Sequence, residues 1–179
     1  MNKKGFTLVE LLAVIAILGV IVIIAVPNVV KLFNKGTDDS MTIVENNTLD
    51  AANLLISDSC GRHALSNKKQ ICNNSRISIN SGKYYGFCVS SIVSNGYIPS
   101  VTYKTNTPCN GIVLYKYDSN TGSYDEGKIF LSCGNVYNTK NDKVKPTIVN
   151  NNSVSKVEFT FRNEKTVVNS SILGSCGIN

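Results

Sequence analysis

The chain divides into an apolar first part and a polar remainder. An almost uninterrupted run of Ile, Val, Leu and Ala follows Phe6 and ends near Val30. As a helix, these roughly 25 residues would measure about 37 Å, which exceeds the roughly 30 Å of a hydrocarbon core. The pattern therefore predicts a membrane-spanning helix over residues 6–30.

Apolar residues continue beyond this segment at helical spacing, which predicts that the helix extends to about Asp58. They are Val29, Val30, Leu32, Phe33, Met41, Ile43, Val44, Leu49, Ala52, Leu55 and Ile56. Polar and acidic residues such as Glu45 fall between them, so residues 31–58 should form an amphipathic half that packs on a domain. Pro27 lacks a backbone donor and should loosen the helix, while Gly36 marks a place for a bend or break.

Residues 59–179 are predicted to form a globular head. The first of them, Ser59–Asn74, are polar and predict a loop or a short helix. Short runs further on alternate in the manner of strands. The predicted strands are Arg76–Asn80, Gly111–Tyr117, Lys128–Cys133 and Lys156–Arg162, and a short helix is predicted at Val89–Ser94. Lys140–Ser155 and the tail from Asn169 should be polar connections. The fold class is therefore α+β, with a long N-terminal helix packed on a small antiparallel sheet.

Cysteine usage indicates an oxidising compartment. The six cysteines all follow residue 59 and are Cys60, Cys72, Cys88, Cys109, Cys133 and Cys176. An even number in a small polar domain is typical of a disulfide framework. The absence of C-x-x-C spacing and the single histidine argue against zinc. Six cysteines allow 15 pairings, and the sequence does not choose among them. Cys60–Cys72 and Cys133–Cys176 are the pairs we would guess.

Charge and composition say less about function. The net charge of +6 is modest, and three lysines flank the apolar run, so DNA is only a weak candidate partner. The aromatic run Tyr84–Phe87 could stack on bases, but packing in the head is the simpler interpretation. No nucleophile motif accompanies the single histidine, so we predict no enzyme activity and no cofactor.

One loop has oxygen-bearing side chains at alternating positions. The segment Asp118–Gly127 joins two predicted strands and contains Asp118, Asn120 and Asp125. These residues make a weak calcium candidate. The stretch lacks the bidentate acid of an EF-hand, and Asp, Asn and Gly commonly build turns, so a solvated hairpin loop is the favoured interpretation.

The N-terminus is polar and positively charged before the apolar run. Lys3 and Lys4 orient this end toward the cytoplasm by the positive-inside rule, with the head outside. No small-x-small cleavage site follows the run, as an ordinary signal peptide would show. One carboxylate, Glu10, interrupts the run, although a charge at membrane depth costs roughly 2.5–3.5 kcal/mol. Glu10 is therefore a candidate functional residue.

These features together resemble a known signal. The sequence KGFTLVELL over Lys4–Leu12, followed by an apolar run with Pro27, resembles the class III signal and N-terminal helix of type IV pilins and pseudopilins. The resemblance covers roughly the first 35 residues. It implies that prepilin peptidase cuts between Gly5 and Phe6, that the new amino group of Phe6 is methylated, and that Glu10 and Pro27 act in assembly.

The resemblance also implies a domain plan, a location and partners. Residues 1–5 would be a cleaved leader, 6–30 a transmembrane and polymerisation helix, 31–58 its amphipathic half, and 59–179 a pilin-like head. The subunit would sit in the cytoplasmic membrane and then enter a cell-surface filament. Its partners would be other pilin subunits, prepilin peptidase, an assembly ATPase and an inner-membrane platform protein.

Two other functions remain open at this point. The chain could be a minor pseudopilin of a secretion or DNA-uptake (competence) machine. It could also be a membrane-anchored surface module that binds DNA or glycan. Neighbouring genes for a peptidase, an ATPase and a platform protein would favour the filament subunit.

Overall fold

The computed structural model describes residues 8–61, 64–104, 106–134, 136–149, 153–162 and 164–179, with only the backbone of residues 24–35, 37 and 38. The chain divides into two compact units, Met1–Met41 and Thr42–Asn179. The fold is the α+β arrangement that the sequence predicts, with an N-terminal helix followed by antiparallel sheets.

The long helix predicted from the apolar pattern is confirmed. Helix α1 spans Leu8–Leu55 and leads directly into a π-helical turn at Ile56–Cys60. It continues through Pro27 and Gly36, so there is no break at Gly36. One glycine costs about 1 kcal/mol relative to alanine, which is too little to end a helix that is regular on both sides.

The shorter elements follow α1 in the second unit. The further helices are α2 (Ser66–Ser75), α3 (Val89–Ser94) and α4 (Ser170–Ser175). The strands are β1 (Arg76–Ile79), β2 (Tyr84–Cys88), β3 (Thr102–Tyr103), β4 (Thr107–Pro108), β5 (Asn110–Asp118), β6 (Ser123–Tyr124), β7 (Lys128–Cys133), β8 (Tyr137–Asn138), β9 (Val144–Ile148), β10 (Val154–Phe161) and β11 (Glu164–Asn169).

The largest sheet is buried on both faces. Its strands follow the order β1-β2-β5-β7-β8, with β6 paired to β5. In β5, Ile112 and Leu114 join the main apolar cluster, whereas Tyr115 lies on the opposite face. There its hydroxyl donates to the Asn53 side chain of α1 at 2.8 Å. The continuous apolar run of β5 is the pattern expected of a strand covered on both sides.

A second sheet covers the face of the first sheet that is turned away from α1. It has the order β11-β10-β9, and Val157, Phe159 and Phe161 of β10 are buried. They pack in one cluster with residues of β2, β5 and β7 and with Leu173 of α4. The strict alternation predicted for β10 is therefore confirmed. The sequence predicted one sheet, whereas the described residues form three, the third being the β3–β4 hairpin.

Two predicted connections are wrong. Lys140–Ser155 contains β9, which pairs with β10. Only Val144 of β9 is buried, so the sequence of this strand shows no apolar alternation. The tail from Asn169 contains α4, which begins where the Asn169 side chain accepts a hydrogen bond from the Ile172 amide. This N-cap is the local signal that starts the helix.

All six cysteines are paired. The expected Cys60–Cys72 pair is confirmed, and the expected Cys133–Cys176 pair is wrong. The structure pairs Cys109 with Cys133 and Cys88 with Cys176. Antiparallel pairing explains the first of these bonds, because Asn110 of β5 lies opposite Ser132 of β7. Cys109 and Cys133 therefore become neighbours, with Cα atoms 4.0 Å apart.

A carboxylate joins the two larger sheets at their polar end. Glu164 accepts hydrogen bonds from the Tyr84 hydroxyl at 2.9 Å and from Lys116 at 3.2 Å, and Lys83 lies 2.8 Å away. These partners, Lys83 first, lower the pKa of Glu164 to about 2. Burial and the nearby carboxylate raise the pKa of Tyr84 to about 12. The β10–β11 hairpin is thereby held against β2 and β5.

Removing the long-range disulfide should cost more stability than removing the local one. Cys88–Cys176 closes a separation of 88 residues and Cys60–Cys72 one of 12. From loop-closure entropy alone, the bond with the longer separation should stabilise the folded head by about 1.8 kcal/mol more than the shorter one. We expect the Cys88→Ala/Cys176→Ala protein to unfold at lower denaturant concentration than Cys60→Ala/Cys72→Ala, as measured by tyrosine circular dichroism in detergent. Equal midpoints would contradict this ranking.

Candidate assembly surface

The first turns of α1 present apolar side chains on every side. From Leu8 to Ile23, all twelve large apolar residues are between 48% and 75% exposed. Glu10, in the first turn, is the sole ionisable side chain in this stretch and is also exposed. A helix that is apolar all round is stable in water only if a membrane or other helices cover it. This segment is therefore a surface for a membrane or for other helices.

The structure places only some of the predicted site residues. Gly5 and Phe6 lie outside the described residues. Pro27 lies inside α1, whose backbone is helical on both sides of it. In the part of the chain whose side chains are described, no helix offers an apolar stretch long enough to cross a membrane.

The loop that contains the weak calcium candidates is organised by its own hydrogen bonds. The Asp118 carboxylate accepts from the Asn120 amide at 2.9 Å, and the Asp118 carbonyl accepts from the Gly122 amide. The hydrogen bond from the Asn120 amide and, after it, one from the Thr121 side chain lower the pKa of Asp118. Asp125 accepts from the Glu126 amide and lies 3.8 Å from the Arg162 guanidinium. Within the described ranges, Asp118 and Asp125 belong to no group of three or more acidic, imidazole or thiol side chains placed for a metal.

A buried carboxylate connects α1 to the head. Glu45 is 7% exposed, although we expected it on the polar face of the helix. Its Oε1 atom accepts hydrogen bonds from the Tyr137 hydroxyl at 2.8 Å and from the Thr139 hydroxyl at 2.6 Å. Thr139 Oγ1 in turn accepts from the Leu131 amide of β7 at 2.8 Å. The helix is thus linked through two hydroxyl groups to the edge of the large sheet.

The phase of the buried face accounts for the position of Glu45. The buried positions of α1 beyond Met41 follow the helical repeat, at Glu45, Thr48, the adjacent Ala51 and Ala52, and Leu55. Ala52 and Leu55 alone would place Glu45 on the same face, because a helix repeats every 3.6 residues. Ile43, which we expected in the apolar stripe, is 62% exposed. The spacing of the apolar residues therefore indicated that Glu45 faces the head. We expected it on the polar face because charged residues are seldom buried unless they are paired.

The chain matches one family model, the prokaryotic N-terminal methylation motif, over residues 1–26. This match supports a class III prepilin signal at the start of the chain. A prepilin signal supports a type IV pilin-like or pseudopilin subunit, a structural role, and membrane anchoring followed by export to a surface filament. It implies processing by prepilin peptidase and assembly with other pilin subunits. No curated protein and no solved structure matches the chain.

Glu45 should make the stability of the head depend on pH. Burial raises the pKa of Glu45, although hydrogen bonds from Thr139 and Tyr137 act in the opposite direction. A raised pKa means that the folded head prefers the protonated acid, so the contribution of Glu45 to stability falls as the pH rises through that pKa. Relative to Glu45→Gln, which stays neutral, the melting temperature of the wild type should fall as the pH rises above the ordinary pKa of a glutamate carboxyl, about 4.3.

The comparison with Glu45→Gln isolates one carboxylate from all the others, since both proteins share them. Glu45→Ala serves as the second variant and should lose about 1–3 kcal/mol at any pH, because it removes the two buried hydrogen bonds from Tyr137 and Thr139. If the difference in melting temperature between the wild type and Glu45→Gln does not change with pH, the Glu45 carboxyl does not titrate in this range.

Proposed function

We propose that this protein is a structural subunit of a type IV pilus-like filament, made as a membrane-anchored prepilin and polymerised through Phe6–Ile56. The observation that carries the proposal is the methylation motif over residues 1–26, which includes the exposed apolar surface from Leu8 to Ile23. A filament core would cover that surface after the subunit leaves the membrane. The head, residues 59–179, would then lie outside the core.

We propose that the first five residues are a leader removed by prepilin peptidase. Lys3 and Lys4 cannot enter the bilayer without a large desolvation cost, so they would hold the precursor with its N-terminus in the cytoplasm. Gly5 permits close backbone approach at the scissile bond. Cleavage would give Phe6 a new amino group, which is the group that the motif's name marks for methylation.

Blocking the cleavage site should leave the leader attached. A Gly5→Val chain carries a β-branched side chain at the scissile bond, where a peptidase needs close access to the backbone. We expect the uncut precursor on a gel and an intact Met1–Gly5 sequence by mass spectrometry. Asn2→Ala, changed in the same leader away from the bond, should be cut normally. Normal processing of Gly5→Val would contradict the proposed cleavage by prepilin peptidase.

We propose that Glu10 sets the axial register of the packed helices. Cleavage would place the α-amino group of Phe6 within about one turn of Glu10 along the helix. In an apolar bundle, a carboxylate and an ammonium group attract strongly, and a carboxylate left without a partner costs several kcal/mol. Pairing Glu10 of one subunit with Phe6 of a neighbour would therefore favour a single register. Pro27 would loosen the helix where subunits have to adjust to one another.

Neutralising Glu10 should impair assembly without preventing insertion. Breaking a buried pair typically costs about 3–5 kcal/mol, so Glu10→Ala should reduce filaments by at least about tenfold. Glu10→Gln keeps the shape and removes the charge, and should fail in the same way. Filaments are measured by shearing and electron microscopy, and insertion by membrane fractionation. Abundant filaments from either variant would contradict the register proposal.

We also propose the partners that such a pathway requires. An assembly ATPase would act from the cytoplasm, and an inner-membrane platform protein would receive the mature helix. The subunit would remain a single-pass protein of the cytoplasmic membrane, with its head outside, until it enters the filament. The three disulfides support an exported head, since such bonds persist in oxidising compartments.

A further inference from the structure

Two surfaces of the unit Thr42–Asn179 combine exposed apolar side chains with a charged one. The first, which we call the helix stripe, consists of Ile43, Asn47, Asp50 and Leu54 on α1. Ile43 is 62% exposed and Leu54 is 61% exposed. The roughly eleven residues from one to the other correspond to about 17 Å along the helix. The stripe therefore has an apolar residue at each end and a carboxylate between them.

The second surface, which we call the edge groove, lies where two sheets end. It runs between β8, the edge strand of the large sheet, and β9, the edge strand of the second sheet. Its volume is about 610 Å³, and its walls include Val136, Ile148 and the exposed Lys145. Val136 is 59% exposed and Ile148 is 48% exposed. The groove therefore combines apolar walls with a cationic side chain.

These two surfaces face different directions within one subunit. Tyr137 and Thr139 line the groove and also hold Glu45, so the buried face of α1 is directed toward that edge of the sheet. At 3.6 residues per turn, the stripe residues lie about 140–180° around the helix from Glu45. A stripe therefore cannot reach the groove of its own subunit, and contact requires a second copy.

We propose that the helix stripe of one subunit docks into the edge groove of its neighbour in the filament. Ile43 and Leu54 would cover apolar area at Val136 and Ile148, and the Asp50 carboxylate would face the Lys145 ammonium group. The groove volume lies in the range of about 300–1,000 Å³ that takes small ligands, which is room for aliphatic side chains. Because the two surfaces differ, each subunit offers one of each, and such a contact repeats as an open helix.

The inference rests on the proposed filament function and adds the head contact to it. Charge reversal tests the pair in the full-length chain, expressed in its own host in place of the wild type. Asp50→Lys and Lys145→Asp should each replace attraction by repulsion and lower the yield of sheared filaments by at least about threefold. The double variant restores opposite charges and should recover the yield. Lys156→Asp, an exposed lysine of β10 outside the groove, is the matched control and should assemble normally.

Ile148→Asp tests the apolar part and should also lower the yield, because it places a charge against Ile43 or Leu54. Equal melting temperatures and normal leader cleavage show that each variant is folded and processed. Two results would overturn the docking contact: a wild-type filament yield from both single charge variants, or a double variant that yields no more filaments than the single variants. Neither result would contradict the filament function. A wild-type chain that is cleaved but never found in filaments would overturn the filament function itself.

Discussion

Strand β5 has no exposed face between Gly111 and Tyr115, and the layers on either side of it depend on that burial. The second half of α1 covers one face, and the second sheet with α4 covers the other. Each layer alone would leave a broad apolar surface in water, which costs about 25 cal/mol of free energy for every Å² of apolar surface left uncovered. The head therefore exists only as helix, sheet and sheet together. Any variant that loosens one layer exposes part of the other two.

The same helix has two different surroundings along its length. From Leu8 to Ile23 its apolar side chains are exposed all round, whereas beyond Thr42 one face is buried in the head. Glu45 lies in the second region and has two hydroxyl donors from the edge of the large sheet. An apolar residue there would pack equally well at several positions along a sheet, whereas a buried carboxylate is satisfied at one. We interpret Glu45 as a residue that fixes how α1 lies on the head.

Strongly periodic segments were predictable from the sequence, and weakly periodic ones were not. Helix α1 and strands β7 and β10 were predicted within a few residues, because a long or strictly alternating apolar pattern is compatible with few local structures. Strand β9 was missed because an edge strand with one buried residue shows no alternation. The prepilin signal could be identified because its chemistry lies in consecutive residues. The spacing indicated the helix face on which Glu45 lies, but its two hydroxyl donors could not be identified, because they come from residues about 90 positions later.

The Cys88–Cys176 bond has a consequence for the order of events during export. Cys88 ends β2, and its partner lies 88 residues further along the chain, directly after α4. If the N-terminal part of the head crosses the cytoplasmic membrane first, the Cys60–Cys72 and Cys109–Cys133 bonds can form while the rest of the chain is still crossing. Cys88 has to wait as a free thiol until α4 arrives. The protein would then depend on an oxidising system that leaves Cys88 unpaired with its nearer neighbours, or that corrects it afterwards.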